Sequence, residues 1–259
     1  MGTRSSLQKD RPVNVPALRL LPLLCLLLPC LAHAQLRCPV PEGASAAVGA
    51  LEPSQRLAFI QSHLHEDARR ARIWTGAWGA SYSVLTVGQL VLAPLFPPAE
   101  QADYYVGAIS SAGGVAALLA VPLAVMEDSL TLDALAARQP GSVDCAVLAE
   151  AERLLVRSAR SEEEGRSWVM RGANVIYNVL TGLVLGLFFD RWPSAAITAA
   201  TGWLLGEAMI LTQPTGAQDA LRAYREGKAL SGERQAAFDW HVGMAMAPHH
   251  VGLQLQLAF

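Results

Sequence analysis

Tyr82-Ser83-Val84-Leu85-Thr86 returns as Tyr177-Asn178-Val179-Leu180-Thr181, 95 positions later. The echo has company. Arg56-Leu57 recurs as Arg153-Leu154, Ala108-Ile109-Ser110 as Ala196-Ile197-Thr198, and Asp133-Ala134-Leu135-x-Ala137 as Asp219-Ala220-Leu221-x-Ala223. The offsets fall in order, 97, 95, 88 and 86. Ordered echoes with small deletions point to one unit used twice, and a repeat governs the fold wherever it occurs.

Around Tyr82 and Tyr177 the chain is apolar for the length of a membrane span. Ile73 to Phe96 makes a helix about 36 Å long, enough to cross a hydrocarbon core. Tyr104 to Met126 is a second such run, after Pro97-Pro98. Trp168 to Phe189 and Ser194 to Thr212 form the matching pair, joined by Asp190-Arg191-Trp192-Pro193. Each pair reads as a helical hairpin. Small residues recur near one helical turn apart: Gly107, Ser111, Gly114 and Ala117; Gly76, Ala80 and Ser83; Gly182 and Gly186. Such stripes let helices approach closely where water does not drive association. Trp74, Trp78, Phe96, Tyr104, Tyr105, Trp168, Phe188, Phe189 and Trp192 sit near the run boundaries, as an interfacial belt would.

An amphipathic helix precedes each hairpin. In the first, Leu57, Ile60, Leu64, Ala68 and Ala71 fall at helical spacing, opened by Pro53-Ser54. In the second, from about Cys145 to Glu164, Leu148, Ala151, Leu155 and Ala159 do the same. Pro39 to Pro53 reads as an extended lead-in. A short polar helix follows each hairpin, Leu130 to Arg138 and Gln218 to Gly227. The C-terminus then changes period. Residues alternate from Phe238 to Met246 and from Val251 to Phe259 around Pro248-His249-His250, a β-hairpin signal. The last ten residues resemble the closing strand of bacterial outer-membrane β-barrels, although one hairpin closes no barrel.

The expected fold is therefore mainly α: two tandem copies of amphipathic helix and long apolar hairpin, a four-helix membrane-type bundle, with a C-terminal β-hairpin. Residues 1–34 are expected to be an export signal: Arg4, Lys9, Arg11 and Arg19 precede an apolar run, Leu20 to Leu31, and Ala32-His33-Ala34 offers a cleavage site. Residues 35–139 form the first copy, 140–227 the second and 228–259 the hairpin.

The net charge of −2 offers no basic face for nucleic acid. The chain is 52% hydrophobic and only 16% charged, against about a quarter charged in ordinary soluble domains. Lys9 and Lys228 are the only lysines, which reads as codon bias in a GC-rich bacterium. Export permits a disulfide, and Cys38 and Cys145 each precede the first helix of a copy, so a bond would tie the two together. Arginine placement complicates the topology. Arg69, Arg70, Arg72, Arg166 and Arg171 would lie outside the cytoplasm after signal cleavage, and the turns facing it offer only Arg191, which reverses the positive-inside rule.

Arg171, Asn174, Asn178 and Glu207 are the candidate intramembrane polar cluster. Ionisable groups at membrane depth are costly and mark function by default, yet interhelical hydrogen bonding explains them equally well. Glu207 is expected opposite Tyr177, and Leu119 takes its place in the first copy. His63 and His65 lack the spacing of a ligand pair and read as solvated. His241, His249 and His250 cluster near a turn, without a metal-site pattern. Glu162-Glu163-Glu164 reads as a solvated helix end. No phosphate loop, nucleophile elbow, paired-cysteine zinc motif or His-Glu-x-x-His occurs, so no catalytic residue, metal or cofactor is expected. The expectation is a non-enzymatic envelope scaffold or assembly subunit. Its partners would be the lipid bilayer and other envelope proteins or further copies of itself. The alternatives are a small channel or transporter subunit and a soluble periplasmic helical bundle.

Overall fold

The computed structural model describes residues 38–138 and 143–228, and the backbone alone of 239–247 and 250–258. The expected export signal, the Pro248-His249 turn and the His241 side chain lie outside the described residues. What is described is mainly helical. A short helix α1, Ala46–Gly49, interrupts the expected extended lead-in. Then come α2 (Pro53–Leu92), α3 (Pro98–Ala120), α4 (Val125–Ala137), α5 (Cys145–Gly165), α6 (Trp168–Phe189), α7 (Trp192–Leu211) and α8 (Gly216–Glu226). At the C-terminus, β1 (Asp239–Ala247) pairs antiparallel with β2 (His250–Ala258), Asp239 opposite Ala258 and Ala247 opposite His250.

The helix ends follow local chemistry. Glu52 and Gln55 form a reciprocal capping box before α2, whose first residue is Pro53. Asp144 caps α5 through the Ala146 N–H, and Ser167 caps α6 through the Met170 N–H. The apolar run Tyr104 to Met126 is not one helix. α3 stops at Ala120 and α4 begins at Val125, because Pro122 has no N–H to continue the ladder. The first amphipathic helix and the first apolar run, in contrast, are one helix of 40 residues. Nothing between Arg72 and Ile73 breaks it.

Two regions of different character result. α4, α5, α8 and the first half of α2 enclose a core of Leu57, Ile60, Leu64, Leu132, Leu148, Leu155 and Tyr224. We call this the head. From it project the two hairpins, the second half of α2 with α3, and α6 with α7. Three stretches, Pro98–Ala137, Cys145–Phe189 and Trp192–Glu226, hold helix long and apolar enough to cross a membrane. The apolar part of each is its hairpin arm. The α2 arm, expected as a fourth, does not qualify; Ser81, Ser83, Thr86 and Gln89 dilute it.

The arms keep large apolar side chains exposed: Val84, Val91, Leu95, Ile109, Leu119, Ile176, Leu187, Phe188, Ile197 and Leu204 among them. The head exposes few, Val40, Leu130 and Val156. Soluble monomers rarely show contiguous apolar surface on this scale. Gly76, Ala80 and Ser83 point into this exposed surface, not into a helix crossing as expected; a Cβ on Gly76 would meet nothing within 4 Å.

Candidate functional site

The expected polar cluster lies where α6 meets α7. Arg171 Nη1 donates to Glu207 Oε2 at 3.0 Å. Glu207 therefore sits opposite Arg171, not Tyr177, a register difference of more than one turn. Asn174 Nδ2 donates to the Trp203 carbonyl at 3.1 Å, and Asn178 Nδ2 donates to both the Asn174 carbonyl and Asn174 Oδ1 at 2.8 Å. The four residues form two adjoining hydrogen-bonded pairs along one seam.

The seam closes because α7 presents glycine at each amide. A Cβ on Gly202 would lie 1.9 Å from Asn178 Oδ1, and one on Gly206 would lie 2.0 Å from Asn174 Oδ1. Nearer the tip, Gly182 faces the Ala195 carbonyl and Gly186 faces the Trp192 ring. Gly202-x-x-x-Gly206, not among the expected stripes, carries the same small-xxx-small signal as Gly182-x-x-x-Gly186. Gly206→Leu is expected to destabilise the second hairpin by about 2–3 kcal/mol, the scale of overpacking a filled interface. Asn174→Ala should cost less, about 0.6–1.7 kcal/mol, as for one hydrogen bond between membrane helices. Thermal unfolding of both variants in detergent checks the ranking.

The echoed tyrosines meet adjacent glycines of α3. Tyr82, buried, packs where a Gly114 Cβ would be, within its own hairpin. Tyr177 crosses from the second hairpin to Gly113 and donates its hydroxyl to the Ile109 and Ser110 carbonyls at 3.3 Å. Between these contacts the hairpins leave a half-open cavity of about 510 Å³. Its lining is mostly apolar, with Gln89, Asp103, Ser110, Ser111, Asn174, Asn178, Thr198 and Thr201 among its polar members. Glu207 and Arg171 do not line it.

At the tips, Arg191 forks onto Asp103, Nε to Oδ1 at 2.8 Å and Nη2 to Oδ2 at 2.6 Å, and Ser194 donates to the same carboxylate. The basic residue that the turns offered to the topology argument is neutralised by the other hairpin. On the head side, Trp74 and Trp78 both donate their indole N–H to Thr212 Oγ1, at 3.2 and 3.0 Å. Of the arginines there, Arg70 pairs with Glu66, and Arg166 donates to the Leu211 and Gln213 carbonyls.

The head is organised around Arg56, only 1% exposed. It donates to the Tyr224 hydroxyl at 2.8 Å, to the Pro39 carbonyl at 3.0 Å and to Glu152 Oε1, which also accepts from Tyr224. Burial works against the guanidinium charge, and Tyr224 and Glu152 outweigh it, so the Arg56 pKa is raised. Burial and the neighbouring Glu152 also raise the Tyr224 pKa, keeping its proton in place. Cys38 and Cys145 are joined as a disulfide beside this network. Arg153, the echo of Arg56, pairs instead with Glu150 at the surface.

The expected solvation of the Glu162-Glu163-Glu164 run is overturned at one position. Glu163 and Glu164 are solvated, but Glu162 is fully buried. It turns inward because it lies on the same helical face as Leu148, Leu155 and Ala159, three residues beyond the last of these. His63 and His65 are exposed, with His65 Nε2 beside Asp133 Oδ2 at 2.9 Å. Compared with known proteins, the chain stands apart: no family model, no curated protein and no solved structure matches it.

Proposed function

We propose that this chain is an exported, membrane-embedded protein of a bacterial envelope. Built as two tandem copies of one helical unit, it acts as a non-enzymatic scaffold or assembly subunit. The observation that carries this is the segregation of surface. The head is closed around a core and tied by a disulfide, while the arms expose apolar side chains along their length. Lipid is the partner that such arms fit, and the head is the part left to meet other envelope proteins or a second copy.

Envelope fractionation of a bacterial host tests it. The protein should stay with the membrane pellet after alkaline carbonate washing and need detergent for release. Thiol labelling of untreated envelopes should find Cys38 and Cys145 unreactive until a reductant is added. A soluble monomer in detergent-free buffer would sink the membrane assignment. The cavity favours a second reading, a small channel or transporter subunit, since ligand sites of this size and character occur between helices of bundles. For that reading, liposomes carrying the protein should show a solute flux that Thr201→Trp blocks.

A further inference from the structure

Asp67 on α2 and Glu162 on α5 lie 95 positions apart, the offset that separates Tyr82 from Tyr177. Both are buried, Asp67 3% exposed and Glu162 not at all. They meet at the N-terminus of α8. The Ala217 N–H points at Asp67 Oδ2 (3.1 Å) and Glu162 Oε1 (3.2 Å), and the Gln218 N–H donates to Glu162 Oε2 at 3.0 Å. Gly216 permits the approach, since a Cβ there would lie 2.3 Å from Asp67 Oδ1.

The donors do not suffice. Two carboxylates present about eight lone-pair positions and no hydrogen. Asp67 Oδ1 is buried without a donor among the described residues. Among the described residues, no cation pairs with either carboxylate. Arg70 is engaged by Glu66, Arg160 by Glu164, and Arg166 by two carbonyls. The α7–α8 link offers Gln213, whose amide goes to the Glu162 backbone carbonyl. On α8 the nearest charge, Asp219, is exposed and stands beside Arg222.

We propose that Asp67 and Glu162 form a proton-binding site, one proton held between the two carboxyls, whose loss unlatches the start of α8 from α2 and α5. A proton on Glu162 supplies the hydrogen that Asp67 lacks and leaves one net negative charge at the positive end of a helix, where one is favoured. Removing it, with hydroxide converted to water, leaves two buried anions facing each other and only two amides. α8 carries Tyr224, so the unlatching reaches the Arg56 network.

The titration follows from the environment. Burial first, then the hydrogen bond and charge of Asp67, push Glu162 from 4.5 up to about 10, against the pull of the Gln218 and Ala217 amides. The folded pKa is raised, so the folded state keeps a proton that the unfolded chain gives up. Stability from this group is complete below the ordinary glutamate pKa and is lost as pH rises towards about 10.

Infrared spectroscopy of the full chain in detergent tests the site without a variant. A protonated-carboxyl band should be present at neutral pH and vanish on raising the pH above about 10; its absence at neutral pH overturns the proposal. Glu162→Gln, which fixes the neutral form, should delete that band. It should also flatten the pH dependence of unfolding, which in the parent approaches a tenfold loss of the folding constant per pH unit. Equal slopes in parent and variant would overturn it too.

Discussion

Arg56→Ala is expected to remove about 3–5 kcal/mol of stability, the cost of leaving a buried ion pair without one partner. The guanidinium brings three pieces of chain to one point. It reaches the Pro39 carbonyl in the lead-in, Glu152 on α5 and Tyr224 on α8. Without it, the Glu152 carboxylate keeps only Tyr224, and the Pro39 carbonyl loses its donor. Denaturant unfolding followed by circular dichroism measures the loss. Arg153→Ala is the matched control, since Arg153 occupies the echoed position but pairs only at the surface; it should cost under about 1 kcal/mol. Adding Glu152→Leu to Arg56→Ala should recover part of the loss, because the stranded charge goes with it. Equal effects of the two arginine variants would show that Arg56 is not the hub described.

Breaking the Cys38–Cys145 bond is expected to cost about 4 kcal/mol. The cysteines are 107 positions apart, and a cross-link closing a loop of about 100 residues restricts the unfolded chain by about 4–5 kcal/mol. Cys38→Ser, Cys145→Ser and chemical reduction of the parent should give the same shift in unfolding midpoint, and the double variant no further one. A midpoint unmoved by reductant would sink this prediction. The loss should not add simply to that of Arg56→Ala. The bond anchors the lead-in whose Pro39 carbonyl Arg56 engages, so the two changes share one segment and couple.

The helices most legible in the sequence were those with chemical punctuation at their ends. Trp168–Phe189 coincides with the expected apolar run, and the structure shows why it is so sharply bounded: Ser167 caps its start and Asp190 follows its end. Cys145, expected as the approximate start of its helix, follows directly on the capping Asp144. The continuity of α2 was hidden for the converse reason. Composition changes at Arg72-Ile73, from amphipathic to apolar, but no Gly or Pro marks the change, and backbone hydrogen bonds are indifferent to which face is wet.

The candidate cluster was legible as residues and not as partners. Asn174 and Asn178 were recognisable one turn apart, but pairing Glu207 with Arg171 required the hairpin register, which the glycines at 202 and 206 set. The burial of Glu162 was obscured by its neighbours, since three consecutive glutamates look solvated as a group although a helix sends each to a different side. Its partner Asp67 lies in a run of charged residues, Glu66 to Arg70, and is buried for the same reason.

The unbroken α2 and the divided α5–α6 have different mechanical standing. Forty residues of α2 make a strut about 60 Å long, so the first arm can swing only if the head turns with it. The second arm meets the head at an elbow, Gly165 to Ser167, held by side chains: Gln213 packed on Gly165, and Arg166 on two carbonyls. A rod bends only by giving up backbone hydrogen bonds, whereas an elbow opens when a few side chains let go. Amide exchange should therefore quicken at residues 165–168 well before it does at the equivalent point of α2, making the second hairpin the articulated limb of the pair.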